Sequence, residues 1–165
     1  MRMDLIQPFL NAADAVLSEA LGSPTQIEAV AMDEQVYQRA GLAALILIEG
    51  ELQGRVILDI DEATAQKMTT AVVSTTAPSE AEVRDSVCEI ANMIIGNAVT
   101  LLNNDGFRFR VHPPAIHAGS EGLAGARDTE ALVMRFQTSC GPVTMNVAMR
   151  YAAKEQPEPA GQTSR

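Results

Sequence analysis

The chain has 165 residues, of which 47% are hydrophobic and 20% charged; this is the make-up of one folded domain and excludes an intrinsically disordered chain. A formal net charge of −9 weighs against phosphate backbones and anionic membrane surfaces as partners, since both need clustered Lys and Arg. It suits a partner with a basic rim, and equally suits a role in solubility alone. With no tryptophan, 4% aromatic residues and eight methionines, the core has to be built from Ala, Val, Leu, Ile and Met.

Residues 3–21 read as a helix, because Leu5, Ile6, Phe9, Leu10, Ala13, Val16, Leu17 and Leu21 recur at helical spacing. Asp4 is placed to cap it, Pro8 falls in an early turn, and Gly22 followed by Ser23-Pro24 ends it. Residues 25–32, around Ile27 and Val30, read as a strand. Two apolar runs follow, Leu42–Ile48 and Arg55–Ile60, joined through Glu49–Gly54 as a β-hairpin. The first run is apolar at every position, as in a strand buried on both faces or paired in an interface. Asp61 caps a second helix through about Ser74, with Ala65, Met68, Val72 and Val73 expected inward.

Pro78-Ser79-Glu80 opens a long helix that runs to about Asn104, where Asp105-Gly106 ends it. Ser79 with Glu82 three residues on has the form of a capping box. Phe107–Val111 alternates as a strand and stops at Pro113-Pro114. Gly119–Gly125 reads as a glycine-rich loop. Thr129–Gln137 and Val143–Tyr151 alternate on either side of Ser139-Cys140-Gly141-Pro142, a second hairpin. The segment Ala152–Arg165, rich in Pro, Gln, Gly and Glu, reads as a disordered tail. The expected architecture is therefore an α+β domain over residues 1–151, with an antiparallel-rich sheet packed against long helices. Its helix–sheet packing leaves two sheet-edge candidates for self-association, the apolar strand Leu42–Ile48 and the C-terminal hairpin.

Cys88 and Cys140 are too few for a disulfide scaffold and form no metal-binding cluster; Cys88, at the margin of an apolar helix face, is expected to act as a small hydrophobe. The segment Met1–Ile6 does not have the form of a signal peptide, and no consecutive apolar run approaches the roughly 20 residues that span a bilayer. The cytoplasm is the expected compartment. A nucleophile elbow, a zinc-protease helix motif and a Walker loop are all absent. The glycines of Gly119–Gly125 have the wrong spacing for a phosphate cradle, and His112 and His117, five residues apart in a loop, read as structural or surface groups.

One feature of the long helix does point to chemistry. Asp85, Glu89, Asn92 and Gly96 step by four, three and four, so they form a single stripe. The other side carries Val83, Val87, Ile90, Ile94, Ala98 and Leu101, which is core material. The stripe faces outward with two acids, a carboxamide and a bare backbone position. A mid-helix glycine costs about 1 kcal/mol relative to alanine, and acids at i,i+4 repel each other. An exposed face offers no packing reason to accept either cost; close approach by another molecule would.

The pattern Asp85-x-x-x-Glu89-x-x-Asn92, with Pro114 following after 21 residues and Gly119 beyond it, resembles the signature of the CheC/CheX/FliY chemotaxis phosphatases. Glu89-Ile90-Ala91-Asn92-Met93-Ile94-Ile95-Gly96-Asn97 is similar to the CheX branch in particular, and only one Glu-x-x-Asn helix is present, unlike the duplicated CheC branch. The resemblance spans residues 1 to about 151. It implies hydrolysis of the aspartyl phosphate of a CheY-like response regulator. It casts Asn92 as the group that holds the attacking water and Glu89 as the contact to the regulator's active-site lysine. Asp85 and Gly96 become supporting partner-binding positions, and Pro114 a shaper of the neighbouring loop. No cofactor is implied on this chain, because the Mg²⁺ belongs to the regulator; a homodimer is implied. The alternative is a non-catalytic module that uses the same stripe to bind a receiver or to self-associate.

Overall fold

The computed structural model describes residues 3–33, 41–117 and 131–152. Helix α1 (Met3–Leu21) leads into strand β1 (Gln26–Asp33), followed by the hairpin β2 (Leu42–Gly50) and β3 (Leu52–Ile60). Helices α2 (Glu62–Val73) and α3 (Glu80–Asn104) come next, then the short strands β4 (Phe109–Val111) and β5 (Ala115–His117), and last the hairpin β6 (Ala131–Thr138) and β7 (Gly141–Tyr151). The strands form one sheet in the order β1-β6-β7-β3-β2-β4, with β5 also on β2, and every pairing is antiparallel. This is the expected α+β class.

Alternation decides which side of the sheet each residue serves. Leu42, Ala44, Ile46 and Ile48 of β2, Val56, Leu58 and Ile60 of β3, and Val143, Met145 and Val147 of β7 enter one core with α1 and α3. Leu5, Ile6, Phe9, Ala13, Val16 and Leu17 are the buried face of α1, as the periodicity indicates. Ala43 and Ile57, with Leu45, form a smaller cluster on the sheet's other face.

Two close approaches fix the strands. Gly54 has φ +158°, and a Cβ there would collide with the carbonyl oxygen of Ala148 on β7; Gly141, at φ +135°, lies against Thr64 at the start of α2. Substituting either residue forces backbone or helix to move.

Several expectations need correction. Neither Leu42–Ile48 nor the C-terminal hairpin is a sheet edge. β2 is paired on both sides, with β3 on one and β4 and β5 on the other. The β6–β7 hairpin inserts between β1 and β3. Among the described residues the free edges are β1 and the β4/β5 pair. Burial on both faces holds only at the start of β2, since Leu47 is exposed. Pro113 and Pro114, which lack an N–H for the ladder, divide one edge strand into β4 and β5, so pairing resumes at Ala115 where none was expected.

On α3 the core seam continues through Ala98 to Leu102 and not Leu101, whose exposures are 0% and 42%. The seam advances by four at that step, which turns Leu101 outward. On α2, Thr64, Ala65, Met68 and Thr69 are buried, whereas Val72 and Val73 are exposed. The proposed loop Gly119–Gly125 lies outside the described residues, as does all of the tail beyond Ala152.

Helix α3 is long and apolar enough to cross a membrane by length and composition alone. Its apolar seam is instead packed on α1, α2 and the sheet, the arrangement of a core helix.

Candidate functional site

Helix α3 is held firmly at both ends. The Ser79 hydroxyl accepts from the backbone N–H of Glu82 at 3.2 Å, and the Glu82 carboxylate accepts from the N–H of Ser79, so the capping box is complete. The helix closes at Asp105, followed by Gly106 at φ +91°. Val83, Val87, Ile90, Ala91, Ile94, Ile95, Ala98 and Leu102 lock its inner side. A rigid rod set by its core face is a precise platform for whatever stands on its outer face.

Asp85, Glu89, Asn92 and Gly96 are all exposed on that outer face, together as the spacing indicates. Among the described residues none of the three side chains makes a hydrogen bond or an ion pair, so their polar groups are available. The neighbouring pair Glu80–Arg84, at 3.1 Å, satisfies itself one turn earlier. Glu89 and Asn92 are separated by about 4.5 Å along the axis, three residues of rise. A Cβ added at Gly96 would meet nothing within 4 Å, so nothing in the fold itself requires glycine there. Asn97 is exposed on the flank. Cys88 is half-buried under the stripe; burial, and then the charge of Asp85, push its thiol pKa up, so it stays a neutral thiol.

Beside the stripe lies a cleft of about 450 Å³ between the last turn of α2 and the first half of α3, lined also by Ala20 near the end of α1. Val72, Val73 and Met93 stand in its walls, and Glu82, Asp85 and Glu89 line it as well. Sequence reasoning missed this feature, because Val72 and Val73 continue the inward spacing of α2; whether a neighbour covers them is decided by how two helices diverge.

Pro114 is half-buried between β4 and β5, and β5 packs against α3, which puts this proline in the connection flanking the helix. His112 donates its backbone N–H to Leu47 O at 2.9 Å, and its Nε2 lies 3.1 Å from Glu49 Oε2; His117 sits in β5 opposite Ala43. Both are placed by strand pairing. Among the described residues no three His, Cys, Asp or Glu side chains come together as a metal site.

The fold thus presents a rigid helix whose outer face carries an open, unengaged stripe of acids and an amide. The comparisons specify the class of protein. The model of the chemotaxis phosphatase CheX family matches residues 42–137, more than half of the chain and all of α3, and the chain belongs to that family. No curated protein matches.

Solved structures share the fold. A CheC-like superfamily protein from Shewanella sp. PV-4 aligns at TM-score 0.79 and 22% identity, covering 91% of this chain and 99% of that one. The chemotaxis protein CheX from Vibrio vulnificus aligns at TM-score 0.76 and 21% identity, covering 89% and 99%. The CheX of a CheX–CheY–BeF₃–Mg²⁺ complex from Borrelia burgdorferi aligns at TM-score 0.75 and 27% identity, covering 90% and 99%.

Proposed function

We propose that this chain dephosphorylates a CheY-like response regulator by supplying the one element the phosphorylated receiver lacks, a water fixed in line with the phosphorus–oxygen bond. The observation that carries this reading is the exposed, unengaged pair Glu89 and Asn92, one turn apart on a helix whose other side is fully committed to the core. The complex of the Borrelia relative supports the choice of partner, since BeF₃ is a stand-in for a phosphoryl group.

Phosphoryl transfer has a loose transition state, so positioning and charge neutralisation do most of the catalysis. The receiver supplies the Mg²⁺ and a lysine, and no cofactor is needed on this chain. Asn92 offers both a donor and an acceptor, so it orients water without having to ionise. The water oxygen attacks phosphorus, the bond to the aspartyl oxygen breaks, and free carboxylate and inorganic phosphate result. Fixing the nucleophile in this way removes several kcal/mol of barrier. Glu89 anchors the complex through a charge-assisted hydrogen bond to the receiver's lysine. Asp85 supports that contact, and Gly96 leaves room for the partner's loops. The reaction belongs in the cytoplasm, where receiver domains work. We also take the chain to self-associate, through the β1 edge.

The test is the loss of phosphate from phosphorylated receivers with and without this chain. Asn92→Ala should slow it roughly 100-fold or more while receiver affinity stays nearly intact. Glu89→Ala should weaken affinity on the order of tenfold as well as slowing turnover. Full activity of Asn92→Ala would remove the water-positioning role, and would leave the stripe as a binding surface only.

A further inference from the structure

We propose that the cleft between α2 and α3 receives an aliphatic or aromatic side chain of the same phosphorylated receiver, from a segment that also carries Lys or Arg. The proposal rests on the phosphatase reading and extends the contact surface beyond the stripe. Three observations lead to it.

The first is the cleft's walls. Val72, Val73 and Met93 are 41%, 47% and 40% exposed, three large apolar side chains around one opening of about 450 Å³. That is room for one or two side chains, not for a whole helix. Apolar area left open in this way is stabilised by being covered.

The second is charge. Glu82, Asp85 and Glu89 stand around the opening, and among the described residues no Lys or Arg lines it. Arg84, the nearest cation in sequence, is paired with Glu80. An apolar floor with an acidic rim selects a partner of the opposite pattern. A second copy of this chain would bring its own three carboxylates to the same place, and an anionic lipid surface would be repelled.

The third is continuity. Asp85 and Glu89 belong both to the stripe and to the cleft. Seen along α3, Asn92 and Met93 fall on opposite sides of the Glu89 line, because steps of three and four lean in opposite directions. A receiver that presents its lysine to Glu89 and its phosphoryl group to Asn92 therefore lies beside the cleft without further movement. The cleft would grip the partner at a distance from the reacting atoms, so it contributes to binding the ground state and the transition state alike.

The test uses the full chain and a phosphorylated receiver that it dephosphorylates. Val73→Lys replaces an apolar wall with a cation at the C-terminal end of α2, where the helix dipole accepts it and the fold is retained. Met93→Ala removes apolar area from the opposite wall at an exposed position. Each should raise KM for the phosphorylated receiver roughly tenfold with kcat unchanged, the loss of about 1.4 kcal/mol of uniform binding. Asn92→Ala should give the reverse pattern.

An unchanged KM in both cleft variants overturns the proposal. So does an unchanged KM accompanied by loss of a dimer, which would assign the cleft to a second copy. If Asn92→Ala stays active while Val73→Lys raises KM, water positioning fails and the cleft stands. If the unsubstituted chain accelerates phosphate loss from no receiver, the phosphatase reading fails and the proposal goes with it.

Discussion

Gly96 shows how a single residue can be informative through the space around it. In an exposed helix interior glycine is disfavoured, yet the structure has open space where a side chain would go and no reason of its own to exclude one. Gly96→Ala should therefore raise the stability of the isolated protein by about 1 kcal/mol, read as a higher midpoint in urea. The same variant should lower receiver dephosphorylation, because the added methyl group meets the partner. A stabilised variant with full turnover would sink the clearance role. The shared exposed face of Asp85, Glu89, Asn92 and Gly96 was legible from residue spacing because all four lie on one helix, and helical periodicity groups them without knowledge of the fold. The same periodicity misassigned Val72, Val73 and Leu101. Spacing reports which residues share a face, but not where the neighbour covering that face ends.

At the scale of elements, the helix ends were well marked. Asp61 caps α2 by accepting the N–H of Thr64 at 2.9 Å and its hydroxyl at 2.8 Å. The backbone hydrogen bond from Thr64 is the main reason its carboxyl pKa lies below the ordinary value. A depressed folded-state pKa means that this stabilisation is present above the unfolded-state value and is lost as pH falls through the folded one. Asp61→Ala should cost about 1 kcal/mol near neutral pH, and the gap to the unsubstituted protein should close as pH drops below about 4. Thermal unfolding at a series of pH values reads it; a gap independent of pH would contradict the capping account. The strands were less fully legible. Alternation separated the inward from the outward residues of β6 and β7, whereas β2 is apolar throughout and gave no such signal, and alternation carries no information about lateral neighbours. That is why the apolar β2 and the C-terminal hairpin read as edge candidates in the sequence although both lie inside the sheet.

At the scale of the molecule, the order of the described strands leaves β1 as the long free edge, with Ile27, Val30 and Met32 exposed along it. An apolar edge with open backbone groups is a template for pairing with another copy. Light scattering at micromolar concentration should give the mass of a dimer, and Val30→Lys, which places a charge on that edge, should give a monomer. A monomeric unsubstituted chain would remove the self-association. Helix α3 packs on β2 and β5, which belong to the half of the sheet that is local in sequence. Among the described strands, β1 and β3 are joined only through β6 and β7, the last in chain order. Closing the whole sheet therefore waits on pairings between distant stretches of chain, the slow kind.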